Sequence, residues 1–117
     1  MRMGESAARE LSAMLEAACQ AKAHVTLFFP PDNMAIIARY RQSDAAGLDA
    51  FKQTARMIVA RHNASCPNKA SLFDFMVPNA LTRETLVEGS SSNYVDLVHF
   101  RPPAGLWLLG QMGLTGH

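Results

Sequence analysis

Several features are missing from this chain of 117 residues, and each absence excludes a class of protein. No apolar run approaches the roughly 20 residues that a bilayer-crossing helix needs. The start, Met1-Arg2-Met3-Gly4-Glu5, lacks the apolar core of a signal peptide, so the chain is read without an export signal. An excess of one charge is also missing. Lys and Arg number 11 against 10 Asp and Glu, a formal charge of +1, with basic residues scattered along the chain. That balance gives no electrostatic footprint for nucleic acid or an acidic membrane surface. Cysteine is scarce. Cys19 and Cys66 are too few for a disulfide framework or a zinc cluster, and both are expected to be buried thiols. The histidines His24, His62 and His117 fall at a strand start, a helix end and the terminus. Nothing groups them as ligands, so no metal is expected, and no cofactor is expected either. Asn63-Ala64-Ser65 matches a glycosylation acceptor, a pattern short enough to be common by chance.

What is present reads as alternating helix and strand. Residues 5 to 23 carry Leu11, Met14, Leu15 and Ala18 at helical spacing, with Arg9, Glu10, Ser12, Glu16 and Gln20 opposite and Ser6 as the expected cap. His24 to Phe29 is β-branched and aromatic without polar alternation, which suits a parallel strand covered on both faces. Pro30-Pro31 ends it. A short helix follows from about Asn33 to Arg41, capped by Asp32 or Asn33, with Met34, Ile37 and Tyr40 inward. A longer helix runs from about Asp44 to His62, with Ser43 as its cap and Leu48, Phe51, Ala55, Ile58 and Val59 as its apolar stripe. A second strand is expected near Ser71 to Phe75. A long loop then runs from Met76 to about Arg101, with a small polar middle at Glu88 to Asn93. The last helix starts at Pro102 or Pro103, turns Leu106, Leu109 and Met112 inward, and ends at Gly113. Strands separated by helices imply parallel pairing with right-handed crossovers. Two strands are few for a sheet buried on both sides, so the chain is expected to be part of a larger α/β domain.

Asp96-Leu97-Val98-His99 carries the chemistry. A carboxylate three residues before an imidazole can accept a hydrogen bond from one ring nitrogen. That fixes the tautomer and frees the other nitrogen to take a proton from a nucleophile. The pair precedes the proline-started helix, which would set it on a loop at the rim of a sheet.

Three pieces together resemble the C-terminal half of the SGNH-hydrolase (GDSL-like) superfamily, and within it the SGNH-like proteins of bacterial cell-surface polysaccharide acylation. One is a helix leading into Val25-Thr26-Leu27-Phe28-Phe29-Pro30-Pro31. Another is Leu72-Phe73-Asp74-Phe75 with Pro78-Asn79-Ala80-Leu81-Thr82 after it. The third is Tyr94 to Arg101, with Gly105 six residues after His99. The resemblance spans the chain from about Ser6. It implies a partial, flavodoxin-like (SGNH-type) three-layer α/β/α domain over residues 1–117, with parallel strands and without its N-terminal half. It also implies an ester hydrolase or O-acyltransferase in which Asp96 and His99 are the orienter and base of a Ser-His-Asp triad. Asp74 and Asn79 would line the pocket or tie down the loop. The substrate would be an ester, such as an O-acetyl group on a carbohydrate; look-alikes are mostly periplasmic or membrane-attached. The departure is the nucleophile. The family's Gly-Asp-Ser block and oxyanion donors have no counterpart here. Gly4-Glu5-Ser6 has no strand before it, and Ser90, Ser91 and Ser92 read as solvated loop. Catalysis by this chain alone is therefore not expected. Self-association through an exposed sheet edge is. The rival reading is a non-catalytic α/β binding or assembly module.

Overall fold

The computed structural model describes residues 3–84 and 101–114. In chain order these form α1 (Glu5–Gln20), β1 (Thr26–Phe29), α2 (Met34–Ser65), β2 (Ser71–Asp74) and α3 (Pro102–Gln111). The chain is thus mixed helix and strand, and β1 pairs with β2 in a two-stranded sheet. The Ser71 N–H donates to the Val25 carbonyl at 2.9 Å, and the Phe75 N–H to the Phe29 carbonyl at 3.1 Å. The offset is the same at both ends, so the strands run parallel, as their apolar character and the helix between them predict.

The chain divides into two compact units, Met1–Phe28 with Tyr40–Phe73 and Phe29–Arg39 with Asp74–His117. In the first unit the core is Leu15, Val59 and Ala70, with Leu11, Val25, Leu27, Ile58 and Leu72 packed against it. Val25 and Leu27 project from one face of the extended chain, as do Ala70 and Leu72. Both α1 and the later part of α2 therefore cover the same face of this unit. On the opposite face Phe28 stays 40% exposed. The two-sided covering expected for these strands is thus not found within this unit.

Helix starts and stops depart from expectation in instructive ways. The cap of α1 is Gly4, extended at φ −69°, with no side-chain cap bond; Ser6 lies inside the helix. The two helices expected between the strands are both present: they are the two parts of α2, separated by a break at Asp44, where φ is −163° and ψ 74°. Asp44, not Ser43, is the cap: its Oδ1 accepts the Gly47 N–H at 2.8 Å. Ser43 instead donates its hydroxyl to the Tyr40 carbonyl at 3.1 Å. Asp44 lies at the break itself, three residues before the Gly47 N–H, which is the spacing that a side-chain cap requires. At the far end of α2, Asn63 takes the place of a ladder partner. Its Oδ1 accepts the Ala70 N–H at 2.7 Å and its Nδ2 donates to the Ala70 carbonyl at 2.9 Å. The amide nitrogen that a glycan would need is thereby engaged in the fold.

The cysteines overturn their expected state. Cys19 and Cys66 form a disulfide with 6.0 Å between their Cα atoms. Sequence separation concealed the pairing: α1 and the later part of α2 run side by side in the same direction, which brings their C-terminal ends together.

In the second unit α3 starts at Pro102 after an extended Arg101. Gly113, at φ +73°, closes it: the Gly113 N–H reaches the Gly110 carbonyl and the Leu114 N–H the Leu109 carbonyl. This 5→2 and 6→1 pair is the Schellman arrangement, which requires a left-handed residue. The buried positions of α3 are Ala104 and Leu108, and Trp107 meets Phe75 edge-on at 5.7 Å. Leu106 and Leu109, expected inward, are 65% and 38% exposed. In so apolar a helix, hydropathy cannot tell one face from another.

Candidate functional site

The carboxyl ends of parallel strands are where open α/β sheets present ligand-binding residues. In the second unit, β1 runs out into Pro30-Pro31-Asp32-Asn33 and β2 into Asp74 and the turns that follow. Pro31, Asp32 and Asn33 are all buried, as is Thr82. Buried polar side chains at strand ends are the first place to look for chemistry, so the partners of each decide its role.

Asn33 starts α2. Its Oδ1 accepts the Ala35 N–H at 3.1 Å, and its Nδ2 donates to the Glu84 carbonyl at 2.8 Å. The Met34 N–H donates to the Thr82 carbonyl at 2.7 Å. The start of the helix is therefore laced to the segment after β2. That segment is organised by Asn79. Its Nδ2 donates to the carbonyls of Phe75 and Val77, at 2.9 and 3.0 Å. Its Oδ1 accepts the N–H groups of Leu81 and Thr82, both at 2.9 Å. Thr82, wholly buried, donates its hydroxyl to the Val77 carbonyl at 2.7 Å and accepts the Asn79 N–H at 2.8 Å. Asp74 closes the first turn by accepting the Met76 N–H on Oδ1 at 2.9 Å. Each of these is a side chain standing in for backbone, the behaviour that makes Asn, Asp and Thr favoured in turns.

Of the residues singled out in the sequence, Asp74 and Asn79 come together in this segment, and both are half-buried. Their described bonds tie down the loop. Asp96 and His99 lie outside the described residues, as do Ser90, Ser91 and Ser92. Ser6 sits on α1 in the other unit, exposed. Sequence reading gave Asp32 only a capping role. The cap is Asn33, and Asp32 is a buried carboxylate at 7% exposure. The available signal was the apolar strand ending in two prolines, which forces the next polar residue to turn back at the strand's end.

No family model, no curated protein and no solved structure matches this chain. The site is therefore read from its own geometry. Among the described residues no group of three His, Cys, Asp or Glu is placed to hold a metal ion. Among them, too, no helix is long and apolar enough to cross a membrane.

Proposed function

We propose that this chain is a portion of an SGNH-like ester hydrolase or O-acyltransferase, to which it contributes an Asp96–His99 pair as orienter and base. The observation that carries the reading is the Asp-x-x-His block set two residues before α3, together with parallel strands whose carboxyl ends hold Asp74 and Asn79. In this reading the sheet belongs to a three-layer α/β/α domain. His99 takes the proton from a serine hydroxyl and returns it to the leaving alcohol, while Asp96 holds the imidazole and stabilises its cation. The nucleophile and the oxyanion donors come from outside this sequence, which contains no Gly-Asp-Ser. The substrate class is an ester, such as an acetylated carbohydrate. Asn79 and Thr82 shape the loop after β2 and take no part in proton transfer.

The test is ester hydrolysis by the longest natural polypeptide that contains these residues. His99→Ala and Asp96→Asn are each expected to lower kcat by about 10³-fold or more, with the melting curve unchanged. Turnover that survives His99→Ala overturns the proposal.

A second reading is a non-catalytic binding or assembly module. It is favoured by the commitment of Asn33, Asn79 and Thr82 to backbone groups, which leaves these side chains few atoms for a substrate. It predicts no turnover from that same polypeptide.

A further inference from the structure

The Cys19–Cys66 bond lies in the first unit. It joins the last turn of α1 to the residue that follows α2. Leu15 is the one buried residue of α1. Leu11, half-buried, adds to its contact with the core. So thin an apolar seam gives a covalent tie a large share in holding the helix. The tie is anchored in a rigid place. Around Cys66, His62 donates Nε2–H to the Asn68 carbonyl at 3.2 Å, Lys69 donates to the Asn63 carbonyl at 2.7 Å, and Asn63 brackets Ala70.

Two features decide what kind of disulfide this is. Reactive cysteines sit at helix N-termini, where the positive end of the dipole stabilises a thiolate. Here both lie at helix C-termini, so the negative end of each dipole opposes the thiolate. Their exposure also differs. Cys66 is 2% exposed, whereas Cys19 lines an open groove of about 380 Å³ between the helices, with Glu16 and Arg61 as its charged neighbours. A thiolate arriving from solvent would attack at Cys19 and expel Cys66. Burial and the helix end both make Cys66 a poor leaving group.

We infer that Cys19–Cys66 is a structural cystine on which the first unit depends, and that the chain acquires it in an oxidising compartment. The oxidant is a second disulfide, carried by an oxidoreductase or a small molecule. One cysteine thiolate attacks the carrier's disulfide, forms a mixed disulfide and releases one carrier thiolate. The other cysteine, deprotonated, attacks the chain's sulfur in that mixed disulfide and releases the second. The chain loses two electrons and two protons, and the carrier disulfide becomes two thiols. Compartments that sustain this exchange are extracellular, periplasmic or in the secretory lumen.

The experiment uses the whole chain purified without reductant after expression in such a compartment. Alkylation in denaturant followed by mass measurement is expected to find no free thiol, and two after reduction. Reduction of the wild-type chain is expected to lower its melting temperature by about 10 °C or more. A Cys19→Ser/Cys66→Ser double variant is expected to melt at the reduced value and to ignore reductant. If that variant does not fold, the thiol count and the reduced wild-type melt still decide the matter. Millimolar glutathione is expected to open the bond far more slowly in buffer than in denaturant. Free thiols in the native protein, a melt unmoved by reduction, or equally fast opening in buffer would each overturn the inference.

Discussion

Asn79 is the residue on which the segment after β2 turns. Four backbone groups depend on its one amide: two carbonyls as acceptors and two N–H groups as donors. Alanine leaves all four to find water in a half-buried loop. Its expected cost is about 2–3 kcal/mol, several net hydrogen bonds partly recovered by solvent. Urea denaturation of Asn79→Ala checks this, and a loss below about 0.5 kcal/mol would mean that the loop resolvates freely. The neighbouring Thr82→Val keeps the shape and removes two bonds, so a smaller loss of about 1–2 kcal/mol is expected in the same measurement. Part of this was legible in the sequence. The Pro78-Asn79-Ala80-Leu81-Thr82 run marks a turn by residue type alone. Which of its polar atoms face inward was not legible, because Asn and Thr bond equally well to water, to backbone or to a ligand.

The elements were located more reliably than their faces or caps. Both strands begin and end within two residues of where their apolar runs begin and end. The glycine stop of α3 also follows from residue type, since φ +73° is a conformation that glycine adopts without strain. Gly113→Ala meets open space around its new methyl, so its expected cost is purely conformational, about 1 kcal/mol by thermal or urea melting. The faces of α3 can be tested by a pair of substitutions. Leu108, at 2% exposure, should cost about 2–4 kcal/mol as alanine, and Leu106, at 65%, no more than about 0.5. Equal losses would mean that the exposed face is covered in solution. For α2 the informative change is Asp44→Ala. It removes the cap at the break and is expected to cost about 1 kcal/mol by the same melting measurements.

For the molecule as a whole the disulfide is the largest single constraint on the unfolded chain. It closes a loop spanning a sequence separation of 47 residues, and chain entropy alone assigns it about 4 kcal/mol. That is a large fraction of what a small protein has in reserve. Solubility pulls the other way. Met14, Phe28, Met57 and Leu106 are all exposed by two-fifths or more, and the sheet of the described residues has two strands. Self-association is expected on those grounds. Sedimentation velocity over a concentration series should show the average mass rising. A monomer at every concentration would argue that these side chains are tolerated singly, as they are on many surfaces.

The sequence by itself determined the order of helices and strands, the parallel pairing and the prolines and glycine that start and stop elements. Those features depend on local sterics and hydrophobic periodicity, which act over a few residues. Tertiary structure alone decided that two cysteines far apart in sequence are bonded, that Asp44 rather than Ser43 caps its helix segment, and that Leu108 rather than Leu106 is buried. Each of those outcomes turns on which groups the folded chain brings within a few ångströms of one another, and composition and spacing carry no record of that distance.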